Sequence, residues 1–311
     1  ALSFIPAAIS AMSETMLCCM EAAIFPLIAS ISSLCVNTCL NYVLIFGKFG
    51  FPKMGVKGAA IGSVAAQLLA CLLTLIFLVW QLHKKKMKLN FDIGFTHDER
   101  ISYIKILTPL LICEFMWSLG ENVYSGIYGN IGTKDCAAMT MTSPIQCLMM
   151  GALCGLSQAA GIMVGKSLGR QDYDKAYKDS KRLMKWGFAA SILLSVLLIL
   201  LGRIYTGIYN VEPDVKQTAY ALLVAFAIVS PVKVQNMILG GGIIRSGGKT
   251  KYLMIIDIVG TWGFGVPLGL ISAFVFKLPI TYVYFILSME ECVRLGISWV
   301  VFRRKRWMQK I

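Results

Sequence analysis

Two carboxylates set among aromatic residues are the first features of this sequence that could do chemistry. Glu114 and Glu121 stand seven residues apart, which on a helix is two turns and one face. Trp117, Tyr124 and Tyr128 follow Glu114 at i+3, i+10 and i+14, on nearly the same stripe. A carboxylate flanked by aromatic faces suits a lipophilic cation, through charge pairing and a cation–π attraction of about 0.5–2 kcal/mol per ring. The same pattern also serves a packed helix whose acids bond to neighbouring helices, and spacing alone leaves both readings open.

Further charges lie in equally apolar surroundings. Lys233 stands beside Gln235 and Asn236, Asp257 follows an apolar run, and Glu290 and Glu291 precede Arg294, with Glu290 and Arg294 spaced i and i+4 as a helical ion pair requires. A lysine beside a cation site opposes the ligand unless it pairs with an acid, and Glu290 or Glu291 would serve. Asp257, a turn or so inside a boundary, is expected to meet Lys251 or solvent. Across these segments five acids (Glu114, Glu121, Asp257, Glu290 and Glu291) face two bases (Lys233 and Arg294), a balance that favours cations.

Other chemistries lack their residues. The two histidines, His83 and His97, share one polar stretch, and the ten cysteines form no CxxC pair, so neither a metal site nor a disulfide framework is implied. Gly247-Gly-Lys-Thr250 imitates a phosphate loop, but Ile243 stands where that loop needs glycine and no strand precedes it. No nucleotide site, no cofactor and no enzyme activity are expected.

The segments that carry these residues must cross a membrane. Of 311 residues, 57% are hydrophobic and 15% charged, where about 25% charged is usual for a soluble domain. The mean hydropathy is +0.70. Disordered, disulfide-rich and nucleic-acid-binding classes are excluded by the same figures, and the net charge of +14 is read through membrane topology. Apolar runs of the length that spans a core of about 30 Å predict nine helices, near 1–19, 23–46, 58–82, 101–128, 137–165, 184–208, 217–242, 252–274 and 280–302. Loops on one side hold 20 Lys/Arg and those on the other 7, which places 83–100 and the basic tail 303–311 in the cytoplasm. Gly151-xxx-Gly155 and Gly161-xxx-Gly165 promise close helix approach, and Pro144 a kink.

Shifting the chain by 227 residues lays its first three spans on its last three in the same order, with Ser3 on Ser230, Phe49 on Phe276 and Pro52 on Pro279. Parallel repeats of this kind build transporters. The expected organisation is the last three helices of one lobe (1–82), a cytoplasmic linker (83–100), a complete six-helix lobe (101–302) and the tail. About three front helices are then missing, an expectation that the apolar opening at Ala1 also suggests.

Asn37-Thr-Cys-Leu-Asn41 through Gly47, then Gly50-Phe-Pro52 through Ser63, resembles the first-lobe signature of the multidrug and toxic compound extrusion (MATE) transporters. Glu114-Phe-Met-Trp117, Tyr128-Gly-Asn-Ile-Gly132, Gly161 through Gly169 and Ile244-Arg245 through Thr250 resemble it further along the chain, in order. The resemblance implies an all-α integral membrane protein with twelve helices in two six-helix lobes. It also implies export of organic, often aromatic, cations in exchange for H+ or Na+. Members often carry an acid where this chain has Asn41; the amide keeps an oxygen ligand and loses the charge. Asn37, Asn41 and Ser63 are the first-lobe cation-site candidates. Glu114, Trp117, Glu121, Tyr124, Lys233, Asn236, Asp257, Glu290 and Glu291 are the candidates of the second lobe. A monomeric multi-pass protein of the cell membrane is expected, with the bilayer and small organic cations as its partners. A flippase for lipid-linked saccharides is the rival, although its anionic substrate would want bases in the cavity; a membrane scaffold without transport is another.

The topology has a direct check. In the full-length protein without its native cysteines, an impermeant thiol reagent applied to intact cells labels Lys134→Cys and spares Lys86→Cys; the opposite pattern inverts the assignment.

Overall fold

The computed structural model describes residues 3–86, 96–305, 307 and 308, and these are helical throughout, without strands. The chain divides into two compact units, Ala1–Gly94 and Phe95–Ile311. Of the expected linker 83–100, residues 87–95 lie outside the described residues, as do 306 and 309–311 of the tail.

The first unit contains α1 (Phe4–Cys19), α2 (Ile24–Phe46) and α3 (Val56–Lys84). Gly47 ends α2 in the left-handed conformation, where a side chain would be strained and would strike the Lys53 backbone. Leu17, Ala22, Leu78 and Leu82 close the α1–α3 contact. The second unit contains α4 (His97–Ile131), α5 (Thr133–Gly169), α6 (Tyr173–Ile208), α7 (Pro213–Ile244), α8 (Thr250–Val275), α9 (Ile280–Ser288) and α10 (Glu290–Arg303). Seven of these helices, α2 to α8, are long and apolar enough to cross a membrane. The first expected span is shorter, at 16 residues. The ninth breaks at Met289 into α9 and α10, and three charged residues follow within the next six positions.

Several helices outrun their apolar stretches because caps extend them. The Thr96 hydroxyl accepts the Glu99 N–H and the Glu99 carboxylate accepts the Thr96 N–H, a reciprocal cap that starts α4 four residues ahead of the expected span. Asp172 accepts the Lys175 N–H at 3.1 Å and starts α6 eleven residues early, in a charged segment that hydropathy leaves out. α5 runs without a break through Pro144.

α7 is the axis of the second unit, with Ala219, Leu222, Leu223, Val234, Ile238 and Leu239 fully buried. Its last turns, Met237–Ile244, widen to π geometry at Gly240-Gly-Gly242, and α8 does the same over Val259–Gly265, where Gly260, Gly263 and Gly265 fall. The expected glycine contacts divide. A Cβ on Gly161 would stand 3.4 Å from the Gly242 carbonyl oxygen, and one on Gly242 would stand 2.6 Å from the Ser157 carbonyl oxygen, so this pair sets the α5–α7 approach. Gly151 and Gly155 meet nothing within 4 Å. Gly242→Val is therefore expected to cost about 1–3 kcal/mol by overpacking, read from denaturation of the solubilised protein, whereas Gly151→Ala leaves stability unchanged or higher.

Candidate functional site

The second unit buries a charge cluster built from α4, α7, α8 and α10. Arg294 is its hub. One guanidinium nitrogen lies 3.8 Å from Asp257 of α8, the other lies 3.8 Å from Glu290 one turn back on α10, and the latter also donates to the Thr261 hydroxyl. Its Nε has no hydrogen-bond partner although the side chain is buried. From α4, the Tyr124 hydroxyl donates to Glu290 and the Cys113 thiol donates to Asp257 at 2.8 Å. Glu291 accepts from Asn236 of α7 at 2.8 Å and lies 3.9 Å from the half-exposed ammonium of Lys233. Glu290, Glu291 and Arg294 are each 5–6% exposed.

The glycines of the π turn make room for this. A side chain on Gly260 would collide with the Arg294 stem, and one on Gly265 with Glu290 and the Tyr124 hydroxyl. Each buried ion costs several kcal/mol of desolvation, offset only when partners lie close. Three acids, Asp257, Glu290 and Glu291, face two bases here, so the cluster holds one acid more than it has bases to pair with.

The second-lobe candidates separate into two groups. Tyr124, Asn236, Asp257, Glu290, Glu291 and Lys233 come together in the cluster. Glu114, Trp117 and Glu121 lie on an adjoining face of α4, all three exposed, with Tyr128 partly buried between the faces. The stripe read from spacing thus turns inward at Tyr124. Glu114 pairs with Arg245 at 3.4 Å, and both side chains are about half exposed. Asp257 meets Arg294 and Cys113 where Lys251 or solvent was expected. Arg245, Cys113 and Thr261 escaped sequence reasoning: a thiol and a hydroxyl carry no signal in an apolar run, and Arg245 reads as a boundary charge.

In the first unit, α1, α2 and α3 line an open pocket of about 280 Å³ whose polar lining residues are Ser10, Glu14, Ser30, Ser33, Asn37 and Gln67. Ser10 donates to Glu14 at 3.1 Å, and Asn41 donates to Asn37 at 2.6 Å while its own buried carbonyl oxygen lacks a partner. Ser63 is exposed and does not line this cavity. Glu14 was not singled out, although an acid inside the apolar run 1–19 was the available signal. Among the described residues no group of His, Cys, Asp and Glu could hold a metal ion.

Long apolar helices around a buried charge cluster define a multi-pass membrane protein. The MatE family model matches residues 109–271, just over half of the chain, and the chain belongs to that family of transporters, the multidrug and toxic compound extrusion family. It is 24% identical over 276 residues to the uncharacterized transporter YisQ of Bacillus subtilis, covering 88% of this chain and 60% of that protein. It is 28% identical over 253 residues to a probable multidrug resistance protein NorM of Bacillus cereus, covering 79% and 55%. The chain thus spans a little over half the length of these relatives. Among solved structures, a mutant of the Vibrio cholerae MATE transporter VcmN superposes with a TM-score of 0.83 at 14% identity, covering 97% of this chain and 67% of that one. The MATE transporter ClbM in complex with Rb+ superposes with a TM-score of 0.74 at 19% identity, covering 93% and 64%. These likenesses carry the all-helical, two-lobe transporter fold.

The hub can be tested by removing it. Arg294→Met strands Asp257 and Glu290 without a cation and is expected to cost about 3–5 kcal/mol in denaturation measurements, part of which Asp257→Asn restores in the double variant. An Arg294→Met protein as stable as wild type would contradict the assignment.

Proposed function

We propose that the full-length protein is a secondary antiporter that exports organic cations in exchange for H+ or Na+ by alternating access. The observation that carries this reading is the excess of three acids, Asp257, Glu290 and Glu291, over the two bases Lys233 and Arg294 in one cluster. A charge left over at membrane depth calls for a cation, and a proton or sodium ion supplies one. The exported cation engages Glu114, Trp117 and Glu121 on the exposed face of α4. Arg245 holds Glu114 in the absence of substrate and is displaced by it. The buried face of the same helix touches the cluster through Cys113 and Tyr124, so a substrate that shifts α4 changes the hydrogen bonds of Asp257 and Glu290. Occupancy of one face is thereby felt at the other.

The acid excess disfavours the saccharide-lipid flippase, whose pyrophosphate would meet repulsion, and a scaffold would have no use for the unbalanced cluster. The linker and C-terminus are assigned to the cytoplasm. The protein acts as a monomer without a cofactor.

Glu114→Gln in the full-length protein is expected to abolish export of a fluorescent organic cation from vesicles energised by a pH or sodium gradient. Stability should change by no more than about 1 kcal/mol, because the Glu114–Arg245 pair is half exposed. Wild-type transport by that variant rejects the role given to Glu114.

A further inference from the structure

The exposed flank of α6 combines two surfaces that the transport reading leaves unused. α6 has 36 residues, about 54 Å at 1.5 Å per residue, whereas the hydrocarbon core takes about 30 Å. The surplus lies chiefly at its start, where residues 173–185 carry five bases against Asp174 and Asp179. Lys178, Lys181, Arg182 and Lys185 follow at i, i+3, i+4 and i+7, exposed on one face, with Ala176, Ser180 and Met184 buried on the other. The same outward face continues as exposed Ile192, Leu193, Val196 and Leu200, and exposed Trp186 and Phe188 stand where charge gives way to apolar surface. Aromatic residues at such a change mark the membrane interface.

The end of the chain joins this flank. Phe302 stacks on Tyr177 at 5.0 Å and Trp307 stacks on Phe302 at 5.7 Å, with Trp307 fully buried and its indole N–H donating to the Phe302 carbonyl at 3.2 Å. Arg303, Arg304 and Lys305 are thereby brought to the same end of α6, all three exposed. The ammonium groups of Lys181 and Lys305 stand 4.5 Å and 4.9 Å from the centre of the one Tyr177 ring. Among the described residues Lys178, Lys181, Arg182, Lys185, Arg303, Arg304 and Lys305 have no ion-pair partner. Two cations drawn to one ring repel each other, and an anion between them relieves the repulsion.

We propose that this flank is a docking surface for an anionic glycerophospholipid. Its phosphate lies between Lys181 and Lys305, with Lys178, Arg182 and Lys185 around it, and its acyl chains run along Ile192, Leu193, Val196 and Leu200. The continuous apolar stripe on the same face is what selects a lipid over a soluble anion, which would have no contact with it. A lipid held there also fixes the tail: Trp307 packs against Gly247 so closely that no Cβ would fit, in the turn just after Arg245, the partner of Glu114.

The test uses the full-length protein purified from mixed phosphatidylglycerol and phosphatidylcholine, with retained lipid read by native mass spectrometry. Wild type keeps phosphatidylglycerol in preference, Lys181→Gln with Lys305→Gln loses that preference by about fivefold for each base neutralised, and Lys181→Arg with Lys305→Arg keeps it. Should the glutamine pair fail to fold, Lys178→Gln with Lys185→Gln gives the same readout. Equal retention of the two lipids by wild type, or a preference unchanged in the folded glutamine variants, overturns the proposal. Displacement of phosphatidylglycerol by millimolar inorganic phosphate overturns it too, because the surface would then be a site for a soluble anion.

Discussion

Arg294 is the residue on which the second unit's interior depends. Its guanidinium reaches Asp257 and Thr261 on α8 and Glu290 on its own helix, and those two acids are in turn held by Cys113 and Tyr124 on α4. The arrangement is possible only because α8 opens into a π turn whose glycines, Gly260 and Gly265, leave space where any side chain would intrude. A cation buried in this way is stabilised by its neighbours and would be expensive without them.

That interior is not electrically closed. Glu291 is bonded by Asn236 and faces Lys233 at 3.9 Å, a longer contact than a direct hydrogen bond. α4 links this imbalance to a surface. Its buried side supplies Tyr124 and Cys113, and its exposed side supplies Glu114, Trp117 and Glu121, about a quarter-turn away. Under the proposed antiport, a ligand on the exposed side and an ion in the interior would act on one helix, which is the minimal requirement for coupling them.

Hydropathy made most of the spans legible: seven of the nine expected runs are helices long and apolar enough to cross a membrane, while the first is a helix of 16 residues and the ninth is divided at Met289. The charged residues that matter were also visible as anomalies: Lys233, Asp257, Glu290, Glu291 and Arg294 all fall in the cluster. The i,i+4 spacing foretold the Glu290–Arg294 pair, and Glu291 proved to be the partner of Lys233. Pairing between distant helices was not legible. Asp257 with Arg294 and Glu114 with Arg245 join helices far apart in the chain, and which faces of distant helices meet does not follow from periodicity. The start of α6 was missed for the opposite reason, since its first turns are held by the Asp172 cap and by packing of Ala176 and Ser180 while their outer face stays charged.

The central claim is that the carboxylate left over in the Asp257–Glu290–Glu291 cluster is neutralised by the coupling cation. Infrared difference spectroscopy of the full-length protein in bilayers reads those carboxyl groups directly. Acidification or addition of sodium should perturb their stretching bands, and the perturbation should be lost on replacing Asp257, Glu290 or Glu291, whichever carries the surplus charge, with its amide. A wild-type spectrum indifferent to both ions, or a perturbation that survives all three replacements, would contradict it.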